Sequence, residues 1–216
     1  MESGLFHWQN QMARIVKWIV VAGFLFMPVL RFIPVSGDAG VSRAQAGAAG
    51  PTARKDDACA KAAFLAAYRV FMHPRCMNCH PVGASPLQGD DSHPHEFGVK
   101  RGPDGRGEYP LRCANCHKET NQPGEHTPPG RPDWHLPPPE MRMVFEGRSP
   151  GDFCRQLKDP LQNGGKTLEQ LIRHVSEDRL VLWGWDPGGG RTTPPLSHDE
   201  FARKVREWAN NGAACP

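Results

Sequence analysis

Two six-residue stretches carry the residue types best suited to chemistry: Arg75-Cys76-Met77-Asn78-Cys79-His80 and Arg112-Cys113-Ala114-Asn115-Cys116-His117. Each contains C-x-x-C-H. That spacing lets one helical turn present two thiols to one edge of a porphyrin, while the next residue swings an imidazole under the metal. It is the attachment pattern of c-type haem. On this reading Cys76, Cys79, Cys113 and Cys116 bond two haems covalently, and His80 and His117 are the proximal iron ligands. Two other chemistries use paired cysteines. Four thiolates could close round one tetrahedral zinc, yet a zinc site does not call for a His directly after both pairs. Redox disulfides within each pair leave the same His unexplained.

The remaining cysteines and the N-terminus bear on compartment. Of seven cysteines, Cys59, Cys154 and Cys215 lie outside the motifs. An oxidising compartment permits one disulfide among them. Cys154 with Cys215 is the preferred pair, since it would tie a short helix to the C-terminus; Cys59 is then left over, as a buried apolar residue or a reactive thiol. Arg14 and Lys17 flank an apolar run from Trp18 to Leu30, and Ala44-Gln45-Ala46 has the small-x-small form of a cleavage site. Residues 1–46 therefore read as a signal peptide, or as an uncleaved anchor over residues 15–33. Both place the chain in the periplasm, touching the membrane only if the segment is retained. Removing 1–46 deletes Arg14, Lys17, Arg31 and Arg43 against Glu2 and Asp38, taking the formal charge from +3 to +1. Nothing in that balance points to nucleic acid.

The elements that must position the motifs are mainly helical. Residues 47–55 read as a flexible lead-in and 56–216 as the domain proper. With 23 Gly and 22 Pro in 216 residues, a core of side chains alone would be thin, and two haems would become part of it. Ala60, Phe64, Leu65, Tyr68 and Phe71 recur at helical spacing after Asp56 or Asp57 as a cap, and Pro74 ends that helix just before the first motif. Residues 81–111 and 118–140 are turn-rich, the second ending in Pro132-Asp133-Trp134-His135-Leu136-Pro137-Pro138-Pro139, a stiff extended run. Ser149-Pro150-Gly151-Asp152, Thr167-Leu168-Glu169-Gln170 and Ser197-His198-Asp199-Glu200 each open a helix. The apolar faces of the last two are Leu168, Leu171, Ile172 and Val175, then Phe201, Val205 and Trp208. Leu180 to Trp185 lies between them, with Trp183 and Trp185 expected to cover core or a haem edge. The expected class is a mainly α, cytochrome c-like, loop-rich fold packed around two haems.

Two irons with one proximal His each leave two distal positions. His73 lies too close to the first motif to reach the opposite haem face. His174 and His198 fall on a helix and at a helix start, where polar-face and capping roles suffice, and His126 sits in a polar loop. That leaves His93, His95, His135, Met141 and Met143. Met143-Val144-Phe145-Glu146-Gly147, arriving after a Pro-rich loop, resembles the Met-x-Phe-x-Gly segment of class I cytochromes c, whose Met is the distal ligand. The resemblance implies Met143 as distal ligand of the first haem, with Met141 as the fallback. For the second haem, His95 and His135 are favoured because both sit in proline-stiffened loops flanking its motif. A His/Met iron beside a bis-His iron would differ in potential and set a downhill step.

A wider resemblance runs from about residue 64 to 216. Arg75-Cys76-Met77-Asn78-Cys79-His80-Pro81, Trp134-His135-Leu136-Pro137-Pro138, Gln156-Leu157-Lys158-Asp159-Pro160 with Asn163-Gly164-Gly165, and Leu182-Trp183-Gly184-Trp185 resemble the dihaem cytochrome c subunits that accompany periplasmic molybdenum hydroxylases of the isoquinoline 1-oxidoreductase type. This implies an electron-transfer chain rather than an enzyme, accepting single electrons from a partner dehydrogenase or hydroxylase and passing them to a respiratory acceptor. No molybdopterin or iron–sulfur pattern is visible in the chain, so hydroxylation would belong to the partner. The alternative of a different class is a haem enzyme such as a dihaem peroxidase, with one five-coordinate iron.

Overall fold

The computed structural model describes residues 56–216, so the expected signal or anchor over 1–46 and the lead-in over 47–55 lie outside the described residues. The class is mainly α, with 41% helix and 2% strand among the described residues. No helix among the described residues is long and apolar enough to cross a membrane.

Helix α1 spans Asp57–Phe71 and starts where Asp56 accepts the backbone N–H groups of Ala58 and Cys59 at 3.0 Å, satisfying two donors that no helical carbonyl can reach. Its buried stripe is Ala60, Ala63, Phe64, Ala67, Val70 and Phe71, a spacing of three and four that faces one way. Leu65, expected on this face, is 43% exposed and lies to one side of it. The three alanines leave room for a close neighbour, which is α7 (His198–Asn210), capped by Ser197 and burying Phe201, Val205 and Trp208. Phe64 meets Trp208 with ring centres 5.2 Å apart.

Three further helices close this pair. Helix α4 (Pro150–Lys158) is capped by Ser149, whose Oγ accepts the Asp152 N–H, and it buries Phe153, Cys154 and Leu157. Helix α5 (Leu168–Glu177) has the reciprocal capping box between Thr167 and Gln170, and it buries Leu171 and Val175 while Leu168 and Ile172 are only partly covered. It packs on α7 and on α6 (Arg179–Trp183), a turn-and-a-half helix not evident in the apolar run of the sequence. Asp178 starts α6 by accepting from Leu180 and Val181, so one carboxylate decides where α5 stops and α6 begins. Cys154 and Cys215 are joined in a disulfide with Cα atoms 5.6 Å apart, fastening α4 to the C-terminal tail, and Cys59 is a free thiol.

The short helices carry the motifs. Helix α2 (Pro74–Met77) starts at Pro74 and is capped by His73, so this proline opens the motif helix instead of merely ending α1. Helix α3 (Cys113–Cys116) is the second motif. Between them the chain is turn-rich, apart from a two-residue antiparallel ladder of β1 (Leu87–Gln88) with β2 (His93–Pro94).

Candidate metal centres

Each motif is held by the same four devices. The arginine comes first. Arg75 donates from Nη2 to the Gly89 carbonyl at 3.1 Å and pairs with the Asp90 carboxylate, while Arg112 donates to the Gly107 carbonyl at 2.7 Å and pairs with Asp104 at 2.7 Å. The asparagine follows. Asn78 Nδ2 donates to Gly89 O at 2.9 Å, and Asn115 Nδ2 to Pro110 O at 2.8 Å. A charged fork and an amide thus clamp each short helix to a loop, and a helix of four residues needs such help to persist.

The histidine is fixed in tautomer and in rotation. His80 Nδ1 donates to the Met143 carbonyl at 2.8 Å, and His117 Nδ1 to the Pro129 carbonyl at 2.7 Å. Both rings lie flat on an aromatic, 5° from parallel: His80 on Phe145 at 3.9 Å and His117 on Trp134 at 4.6 Å. Burial pushes both imidazoles down to about 4, so each is neutral at pH 7 with Nε2 carrying its lone pair outward. That is the metal-ligating form, oriented by a second hydrogen bond as ligating histidines usually are.

Cys76 lies on α2 and Cys79 two residues beyond its end, while Cys113 and Cys116 are the first and last residues of α3. Cys76, Cys79, Cys113 and Cys116 are all free. Burial pushes Cys76 up to about 12 and Cys79 to about 11, and raises Cys113, so these sulfurs rest as protonated thiols. Among the described residues no three His, Cys, Asp or Glu side chains converge as a metal cage, so the two C-x-x-C pairs do not form the four-thiolate set of a zinc site.

The structure separates the other ligand candidates. His95 faces His117, with ring centres 6.2 Å apart and planes at 64°, and its Nδ1 is engaged by the Glu96 carbonyl at 2.9 Å, which leaves Nε2 free. His135 turns instead to Asp133, its Nδ1 2.6 Å from that residue's carbonyl, and His93 pairs with Asp91 at 2.6 Å. Met141 Sδ packs on Gly164, where an added Cβ would come within 2.5 Å of it. Met143 meets the first motif through its backbone. Its carbonyl takes the Nδ1 proton of His80, putting its backbone behind that imidazole, on the side away from Nε2.

Five residues were not read from the sequence. Phe145 and Trp134 serve as ring supports, and Asp90 and Asp104 as arginine partners. The repeated Arg and Asn in both motifs were the available signal, and they mark equivalent clamps. Arg101 is the fifth, 2% exposed, with Nη1 on the Pro137 carbonyl and Nε and Nη2 unpaired. It lies close enough to Cys79 and His80 to affect their protonation. A buried guanidinium with two idle donors is costly unless an anionic group completes it. The two centres also adjoin. Trp134 meets Trp183 edge-on at 4.9 Å, Trp183 Nε1 donates to Asn121 at 3.0 Å, and Arg75 of the first motif sits 5.9 Å over the Trp183 ring. Trp185, by contrast, is core, packed on Phe201 at 5.5 Å.

Searches against protein-family models, curated proteins and solved structures returned no match to this chain.

Proposed function

We propose that this chain is an exported dihaem c-type cytochrome that relays single electrons from a substrate-oxidising partner, such as a molybdenum hydroxylase, to a respiratory acceptor. The observation that carries the reading is the His95–His117 pair. Two imidazoles bound to opposite sides of one metal have ring centres separated by twice the sum of roughly 1.1 Å within the ring and roughly 2 Å from nitrogen to metal, about 6.2 Å. The His95–His117 separation is 6.2 Å, and the 64° between planes is a rotation such ligation allows. The donor set therefore fits a haem iron. Cys113 and Cys116 would hold the second haem, and Cys76 and Cys79 the first, with His80 as its proximal ligand. Arg101 offers two donors to the carboxylates such a group brings.

A bound haem supplies reversible one-electron iron chemistry. The chain's own part would be to hold His95 and His117 as the residues that present Nε2 to the second haem. Glu96 and Pro129 carbonyls hold the Nδ1 protons, so neither ring can rotate Nε2 away. An iron with both axial positions filled by protein has no open site for a peroxide, which supports a carrier over the peroxidase alternative.

The test is made on protein recovered from the periplasm with its haems attached. A pyridine haemochrome assay is expected to give two c-type haems per chain, and His95→Ala is expected to convert one of two irons to a carbon monoxide-binding, high-spin form. One haem or none, or a wild-type protein that binds carbon monoxide rapidly, would overturn the proposal.

A further inference from the structure

The carbonyl that holds His117 belongs to a peptide group whose other end is also held. Pro129 O accepts the His117 Nδ1 proton at 2.7 Å, and the N–H of the same planar unit, on Gly130, donates to Asn121 Oδ1 at 3.0 Å. A Cβ on Gly130 would come within 2.0 Å of the Thr120 carbonyl and 2.6 Å of the Lys118 carbonyl, so the loop from His117 to Gly130 closes tightly on its own start. Turning that peptide group over would break both of its hydrogen bonds.

We infer, on the dihaem reading, that Asn121 is the positioning residue of the second centre, acting on His117 through the Pro129–Gly130 peptide group. Its carboxamide is engaged at both ends. Oδ1 accepts a second hydrogen bond, from Trp183 Nε1 at 3.0 Å, and Nδ2 donates to the Asp186 carbonyl at 3.1 Å. The Gly130 and indole N–H groups can only donate and the Asp186 carbonyl can only accept, so the three partners fix which way the amide faces. Gly188, with φ +60°, lies so near that a Cβ there would meet Asn121 Nδ2 at 2.8 Å.

Two consequences reach the imidazole. An oxygen on the N–H of a peptide unit polarises it and makes its carbonyl a better acceptor. A better acceptor on Nδ1 raises the donor strength of Nε2, the nitrogen His117 turns outward. Asn121 thus sets where this ring points and how strongly it ligates.

Trp183 gives the anchor its place. It is 6% exposed on α6, meets Trp134, the ring stacked on His117, edge-on at 4.9 Å, and has Arg75 of the first motif 5.9 Å over its own ring. Just past Gly130, Arg131 Nε donates to the Arg179 carbonyl at 3.1 Å, tying the same stretch to the start of α6. The first centre is built otherwise. Met143 O accepts from His80, and there a side-chain amide, Gln156, donates to the Val144 carbonyl at 2.9 Å instead of accepting from a peptide N–H. Loss of the Asn121 carboxamide should therefore be felt at one centre of the two.

The experiment uses the full-length holoprotein, with haem content counted by the pyridine haemochrome assay. The two potentials are read by spectroscopic redox titration, and exchange of the two motif-histidine Nδ1 protons by NMR of the reduced protein. Asn121→Ala is expected to raise one potential of the two and to speed exchange of one Nδ1 proton about tenfold, the equilibrium weight of one net hydrogen bond. Asn121→Asp, which puts a stronger acceptor in the same place, is expected to lower that same potential and leave the proton as slow as in the wild type. Equal shifts at both irons, unchanged exchange in Asn121→Ala, or a potential raised alike in both variants would overturn the inference while leaving the dihaem reading intact. Where Asn121→Ala yields no holoprotein, Asn121→Asp decides alone, and two unchanged potentials or a raised one would overturn the inference. Fewer than two haems in the wild-type assay would overturn the dihaem reading and this inference with it.

Discussion

Replacing Phe145 tests how the first centre is built, because this ring joins the protein core to the histidine. It is 6% exposed, stacked at 3.9 Å on His80, and meets Phe153 at 4.8 Å and Phe71 at 5.6 Å, both edge-on. Truncating a buried Phe to Ala costs about 3–5 kcal/mol, the upper part applying where neighbours cannot collapse inward. Here the neighbours are two aromatic rings fixed by α1 and α4 and an imidazole fixed by its own hydrogen bond, so about 4 kcal/mol is expected for Phe145→Ala. At roughly 2–4 °C per kcal/mol for a domain of this size, that lowers Tm by about 8–16 °C. Phe145→Leu keeps most of the volume and should cost roughly 1–2 kcal/mol. The backbone bond from Phe145 N–H to the His80 carbonyl, 2.9 Å, survives both changes, so the effect isolates the ring. The assay is urea unfolding of the holoprotein followed by far-UV circular dichroism, with visible absorption read on the same samples. The stability loss should be accompanied by a spectral change at one haem only. A loss under about 1 kcal/mol, or equal disturbance of both haems, would refute the claim that Phe145 supports His80.

Two further outcomes follow from the same geometry. The Cys154–Cys215 bond closes a separation of 61 residues, for which the chain-entropy relation gives about 4 kcal/mol, so the Cys154→Ser, Cys215→Ser protein should unfold at markedly lower urea; an unchanged midpoint would show that the tail is held by packing alone. Arg112 holds the Asp104 carboxyl down to about 2, so its contribution is complete above the unfolded value near 4 and is lost as pH falls through about 2. Wild-type unfolding midpoints should therefore drop across that window more steeply than those of Asp104→Asn, and parallel pH profiles would remove Asp104 from the clamp on the second motif.

What could be read directly from the sequence was local. The caps Asp56, Ser149, Thr167 and Ser197 satisfy backbone donors two or three residues away, so each helix start is written within a few positions. The C-x-x-C-H motifs are local for the same reason, since one turn brings the thiols and the imidazole together. Helix α6 escaped notice because its run of Leu, Val, Leu and Trp has no periodicity of its own, and its start depends on Asp178 serving two elements at once.

The metal partners were a different kind of problem. Carbonyls of Met143 and Pro129 orient the motif histidines, and every residue owns a carbonyl, so no side-chain type announces that role. Met143 has the chemistry of a ligand and a loop length that fits one, yet only the fold could show which side of His80 its backbone passes. His95 could be proposed from sequence alongside His135, and the 6.2 Å approach to His117 is what separates them. Sequence alone thus set the spacing of the motif thiols and imidazoles on which the proposed haem attachment rests, because covalent spacing is a property of the chain. Which imidazoles face one another was decided by the fold, because that depends on where loops tens of residues apart are brought to rest.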